Sequence, residues 1–255
     1  MLSTLFSDPI MFLRLLMYRV PALLLTLTCH EWAHAYMANR CGDPTARLMG
    51  RMTFNPLRHL DPIGTLLMFT AGFGWAKPVP VNPRNYRRLR ADEIKVSLAG
   101  IVTNLFLFML ITAALVALNG LLWKPDVVFY TGGPRQFLEL YGINFGLVYG
   151  ENIAEMYMLR PWLAPVVAIL TVAAQMNLMV AIFNLLPIPP LDGFHVVNNL
   201  FSRSRTIITP QMAQMGMMAV MFISFATNIL SDVMNFLGSN VQGAVLSLFL
   251  LLTGN

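Results

Sequence analysis

Apolar positions along the chain come in long runs separated by short polar and basic stretches. The first run, from about Pro9 to Tyr36, is interrupted by Arg14, Arg19 and Pro21. It predicts an interfacial amphipathic start followed by a spanning helix from about Val20 to Asn39. Residues 40–62 are polar and basic. The next apolar stretch, Ile63 to Trp75, is too short for an ordinary span. Its Gly72 and Gly74, followed by A-K-P-V-P-V-N-P, predict a short re-entrant or β-hairpin segment near residues 63–82. Such backbone at membrane depth is tolerated only inside protein or against a wet cavity. Further spans are predicted at about Ile94–Leu122, Trp162–Leu186 and Met212–Leu230, with residues 124–160 as a mixed loop along the interface. Val241–Leu252 reads as a short span or an interfacial helix. The expected fold is an all-α integral membrane protein with about 4–6 transmembrane helices, forming one membrane-embedded domain over residues 1–255.

Composition supports the bilayer as solvent. Hydrophobic residues make up 56% of the chain and charged residues 11%, where a soluble domain carries about 25% charged. Mean hydropathy is +0.62. The net charge of +5 is expected to reflect basic loops on the cytoplasmic side. No aromatic-basic interleaving points to nucleic acid, so none is expected as a partner. Arg40, Arg47, Arg51, Arg58, Lys77, Arg84, Arg87, Arg88, Arg90, Lys95, Arg203 and Arg205 fall on one side of the predicted spans. Arg14, Arg19, Lys124, Arg135 and Arg160 fall on the other, which assigns the first group to the cytoplasm. Cys29 and Cys41 lie about 18 Å apart if the intervening chain is helical, too far for a disulfide. The N-terminal run lacks the basic start and small-residue cleavage site of a signal peptide.

The segment T-C-H-E-W-A-H-A carries His30-Glu31-x-x-His34. On a helix, positions i and i+4 project from one face, one turn apart. Two imidazoles so placed can bind one zinc ion, and Glu31 can reach a water beside it. Ionisable residues inside an apolar span are costly and mark function. A catalytic zinc commonly takes three protein ligands. From the residues alone His59, Asp61, Asp192 and His195 are all candidates for the third. Asp192 stands in P-I-P-P-L-D-G-F-H, where prolines break the helix, and it reads equally as a helix N-cap. Asp61 before Pro62 reads as a loop cap with His59 solvated beside it, or with His59 at a site mouth.

Taken together, H-E-W-A-H in a first span, A-G-I-V-T-N in a second and N-L-L-P-I-P-P-L-D-G in a later one resemble the three signature motifs of the site-2 protease family. N-P-L-R-H-L-D-P-I-G-T and G-W-A-K-P-V-P-V-N-P resemble its compact bacterial-type members. The resemblance covers about residues 20–200. It implies a zinc-dependent intramembrane endopeptidase of a prokaryotic cell (inner) membrane. His30, His34 and Asp192 would be the Zn2+ ligands and Glu31 the general base. It also implies a substrate-contacting or transition-state role for Asn104 and a structural one for Asn184. The implied partners are the lipid bilayer and a transmembrane protein substrate, such as a membrane-bound regulator of the anti-sigma factor kind. Phe194 and His195 depart from the family pattern after L-D-G, and Ile101-Val102 stand where the middle motif commonly has proline. No segment is long enough for an inserted PDZ domain or a CBS pair. The alternative is a non-catalytic membrane metal-binding protein or an inactive protease-like chaperone, and the presence of Glu31 speaks against the inactive form.

Overall fold

A computed structural model describes residues 6–70, 76–137, 153–201, 209–227 and 229–253. Helix α1 runs Pro9–Cys41, 33 residues without a break. The expected interfacial start is therefore part of the same helix. Pro21 removes one backbone hydrogen bond, a loss that packed neighbours in a membrane bundle tolerate. Asp8 caps the start by accepting from the Met11 N–H at 2.9 Å. Gly42 ends the helix with φ 110°, and a Cβ there would meet the Asn85 carbonyl at 2.9 Å.

The remaining principal helices are α2 (Pro62–Thr70), α3 (Leu89–Ala117), α4 (Ala164–Asn184), α5 (Asp192–Phe201), α6 (Pro210–Ala226) and α7 (Ile229–Thr253). Among the described residues four helices are long and apolar enough to cross a membrane: α1, α3, α4 with the 3-10 turn before it, and α7. The protein is thus an all-α, multi-pass membrane protein. The stretch expected as a short element at Val241–Leu252 belongs to the longer α7, because Ile229–Asn240 continue the helix. Arg203 and Arg205 lie outside the described residues. Residues 124–160 contribute one-turn helices at Pro125–Tyr130, Pro134–Phe137 and Ile153–Tyr157.

Helices α1, α3 and α4 pack on one another, and α7 packs on α3 and α4. Their shared core holds Tyr18 and Ala22, Phe108 and Ile111, Val172 and Leu178, and Leu246 and Leu250. Fully buried alanines on α4, Ala168, Ala174 and Ala181, let the backbones approach closely, which is the main source of helix association in lipid. Deep in this core the Asn177 amide donates to Thr26 Oγ1 (2.9 Å) and to the Ala173 carbonyl (2.8 Å). Thr26 in turn donates to the Ala22 carbonyl (2.8 Å). This ties α1 to α4.

Between α1 and α3 the chain makes an excursion. Leu60 and Ala76 pair in an antiparallel bridge, so the outgoing and returning limbs meet there. The outgoing limb is the helix α2, where a strand was one expectation, and Asp61 caps it by accepting from the Gly64 N–H at 2.8 Å. Gly72 and Gly74 lie outside the described residues. The returning limb, 76–82, is extended. The Lys77 N–H donates to the His59 carbonyl (2.9 Å), and Arg51 Nη2 donates to the Lys77 and Pro78 carbonyls (2.8 and 3.3 Å). His59 is fully buried, not solvated, and donates from Nε2 to the Thr53 carbonyl at 2.8 Å.

Asp43, buried just past α1, ties this limb to the first span. It accepts from the Asn82 N–H (2.6 Å), Asn85 Nδ2 (2.8 Å), the Thr45 N–H (3.1 Å) and the Thr45 hydroxyl. Burial opposes its ionisation, but these donors outweigh burial and hold its pKa below the ordinary 3.8. A carboxylate with a depressed folded pKa adds stability above its unfolded pKa and loses it as pH falls through the folded one. Asp43→Asn should therefore lower stability by about 1–3 kcal/mol at neutral pH. It should also flatten the loss of melting temperature that the wild type shows below about pH 4. Parallel melting curves for the two proteins from pH 7 to 3 would contradict this role.

Candidate active site

Helical spacing places His30, Glu31 and His34 at the inner face of α1, with His30 and Glu31 buried. Asp192 opens α5, directly after the proline-rich turn that ends α4. The structure brings these elements to one point. His30 Nε2 and His34 Nε2 are 3.0 Å apart, and each lies 3.3 Å from Asp192 Oδ2. Among the described residues these three form a group whose ligand atoms lie within 4.8 Å of one another.

The imidazoles are oriented from behind. His34 Nδ1 donates to the Val96 carbonyl on α3 at 2.7 Å, which leaves Nε2 as a bare lone pair. His30 Nδ1 lies 3.2 Å from the Asn104 side-chain amide. The two ends of an amide are nearly isosteric. With its oxygen turned to Nδ1, Asn104 accepts from that N–H and frees His30 Nε2 in the same way. Asn104 is fully buried behind His30. It does not line the cavity in front of the imidazoles, so its contact is with the ring and not with that space.

Gly100 makes the packing possible. A Cβ there would lie 2.5 Å from His30 Cε1 and 2.6 Å from His34 Nε2. Gly193 and Gly216 do the same for the other ligand. A Cβ at Gly193 would meet the Leu185 carbonyl oxygen at 2.2 Å, and one at Gly216 would meet the Pro189 carbonyl oxygen at 1.8 Å. The turn carrying Asp192 is thus clasped between the start of α5 and the flank of α6.

This geometry fits a metal ion. Atoms held about 2.1 Å from one ion at tetrahedral angles lie roughly 3.4 Å apart, close to the spacings here. Two lone-pair nitrogens and a carboxylate oxygen facing one another repel unless a cation lies among them. Asp192 Oδ2, buried, has no hydrogen-bond partner. Glu31, Glu93 and Asp192 all line one cavity of about 260 Å³, a concentration of negative charge that a divalent ion would offset.

The other candidates lie elsewhere. His59 is turned into its own loop, and Asp61 caps α2. His195 lines the cavity, with Nδ1 3.2 Å from Glu93 Oε1 on α3, outside the three-residue group. Asn184 also lines the cavity, and its amide donates to the Val180 carbonyl at 3.0 Å. Sequence reasoning missed the groups that act through backbone. The Val79 N–H of the returning limb donates to Glu31 Oε2 at 2.9 Å. The spacing P-V-P-V was the available signal, since the flanking prolines leave Val79 and Val81 as the N–H donors there.

Gly100→Ala should improve helix propensity by about 1 kcal/mol yet weaken metal affinity tenfold or more by displacing both rings, on the scale of losses when ligand orientation is disturbed. Chelator competition measures it, and unchanged affinity would show that the rings can retreat. His195→Ala should leave metal affinity within about tenfold of wild type, whereas Asp192→Ala should abolish stoichiometric binding. The reverse ranking would make His195 the ligand.

The chain is 36% identical to the protein named "Putative zinc metalloprotease YwhC" of Bacillus subtilis over 188 residues, covering 74% of this chain and 71% of that one. It is 31% identical over 189 residues to "Putative zinc metalloprotease Rip2" of Mycobacterium tuberculosis, covering 71% of each. No solved structure matches. The profile of peptidase family M50 matches residues 18–227, a stretch that contains the histidine pair, Glu31 and Asp192: the chain belongs to peptidase family M50.

Proposed function

We propose that this protein is a zinc-dependent intramembrane endopeptidase that hydrolyses peptide bonds in or near transmembrane segments of other proteins. The observation that carries the reading is the meeting of His30, His34 and Asp192 with the Glu31 carboxylate beside them, at one cavity between membrane-spanning helices. His30, His34 and Asp192 would hold the zinc. When bound, the ion supplies Lewis acidity toward a scissile carbonyl and acidifies water to a pKa of about 7.

The chain's own residues supply the rest. Glu31 takes a proton from the attacking water and returns it to the leaving amine. The Val79 N–H holds one Glu31 oxygen, which leaves the other for that proton. Val96 and Asn104 fix the imidazole tautomers so that both Nε2 atoms face the cavity. The burial of Asn104 supports this positioning role over direct contact with substrate. A substrate helix must unwind locally to offer a carbonyl, because an intact helix keeps that group hydrogen-bonded. The excess of basic residues on the polar segments next to the site supports a cytoplasmic orientation, and a membrane-bound regulatory protein is the proposed substrate class.

Glu31→Gln keeps the size and most hydrogen bonding of the side chain but cannot accept the proton. Bound zinc should remain at one per chain while cleavage of a transmembrane substrate in proteoliposomes falls by about 100-fold or more. Turnover that survives this substitution would place the base elsewhere.

A further inference from the structure

A second cavity, of about 390 Å³, lies where α1 ends and α3 begins. Both helices are long and apolar enough to span a membrane. The cavity therefore sits at the level where apolar helix gives way to polar chain. Four cationic side chains line it: Arg40 from the last turn of α1, Arg87 and Arg88 from the approach to α3, and Lys95 from its second turn. Asp92 is the one carboxylate in the lining. It is already committed, accepting from Lys95 Nζ at 2.9 Å and from the Arg88 N–H at 2.8 Å. The guanidinium groups of Arg40, Arg87 and Arg88 have no hydrogen bond or ion pair among the described residues.

Three unanswered guanidiniums at one cavity repel one another. The N-terminus of α3 adds the positive end of a helix dipole to the same place, and Arg88, its capping residue, makes no side-chain cap. Guanidinium forks match phosphate oxygens two at a time. Met37 and Cys41 give the α1 wall an apolar surface, suited to the glycerol and ester part of a lipid and useless to a free ion. Basic pockets between spanning helices at the headgroup level are a recurrent way of holding acidic lipids.

We propose that this pocket binds the phosphate of an anionic membrane phospholipid, with Arg40, Arg87 and Arg88 as its donors. The bound headgroup bridges the ends of α1 and α3, already joined by the Arg87 N–H to the Cys41 carbonyl at 3.1 Å. It lies one helical turn from Val96, whose carbonyl orients His34. The proposal does not depend on the protease reading.

Native mass spectrometry of the full chain in a nonionic detergent, titrated with phosphatidylglycerol or phosphatidylcholine, tests it. One phosphatidylglycerol per chain should be retained at least tenfold more tightly than phosphatidylcholine. Arg40→Gln/Arg88→Gln should erase that preference. Both sites are exposed, so folding should survive, as equal melting temperatures would confirm. Arg47→Gln/Arg58→Gln, exposed on the same polar segment, should change the preference less than twofold. An equal loss in both double variants would reduce the effect to a diffuse surface field and overturn the site. Displacement of the lipid by inorganic phosphate at comparable concentration would make it a free-phosphate site and overturn the lipid assignment.

Discussion

The structure is organised around keeping three lone-pair atoms pointed at one another inside an apolar bundle. His30 Nε2, His34 Nε2 and Asp192 Oδ2 converge at 3.0–3.3 Å, an arrangement that is unfavourable by itself in a low-dielectric setting. It is sustained from outside. The Val96 carbonyl and the Asn104 amide take the far sides of the rings, Gly100 gives up the volume the rings need, and the turn bearing Asp192 is wedged between α5 and α6. Each support comes from a different helix than the histidines. The three-helix core formed by α1, α3 and α4 is therefore the scaffold of the site as well as the hydrophobic centre of the fold.

A second layer of organisation comes from the excursion between α1 and α3. Its returning limb is fixed at Lys77 and Pro78 by Arg51, and at Asn82 and Asn85 by Asp43. Between these anchors Val79 reaches Glu31. The buried loop histidine His59 contributes by accepting the Lys77 N–H on its carbonyl. An extended limb with prolines at 78 and 80 suits this task. Proline stiffens the backbone and leaves fewer N–H groups to satisfy, so the Val79 donor is directed at the carboxylate without competition from its neighbours.

Much of this was legible in the chain. Long apolar runs marked the spans, and the i, i+4 histidines with Glu31 between them identified a face that could hold a metal. The proline-broken P-I-P-P-L-D-G placed Asp192 at a helix boundary, where it begins α5. What stayed hidden has a common physical origin. The Val79 N–H and the Val96 carbonyl are backbone groups, present at almost every position and informative only once tertiary structure aims them. Gly100 sits in a motif, but nothing local says that two imidazoles occupy the space of its missing side chain. Pro21 and the two nearby arginines suggested a boundary, yet hydrogen bonding in an apolar medium favours continuing the helix through them. His59 lies in a polar loop, and polarity of sequence there concealed complete burial.

The metal-competent group joins two helices far apart in the chain, with His30 and His34 on α1 and Asp192 at the start of α5. A nascent chain holding only α1 presents two histidines and no third ligand. The full set exists only once the start of α5 has been brought against α1. An ion bound at that set would stabilise the assembled state alone, by about 2.7 kcal/mol at a free concentration 100 times its Kd. Occupancy would then act as a latch on completed assembly: the same event that equips the site for chemistry would also hold the bundle shut around it.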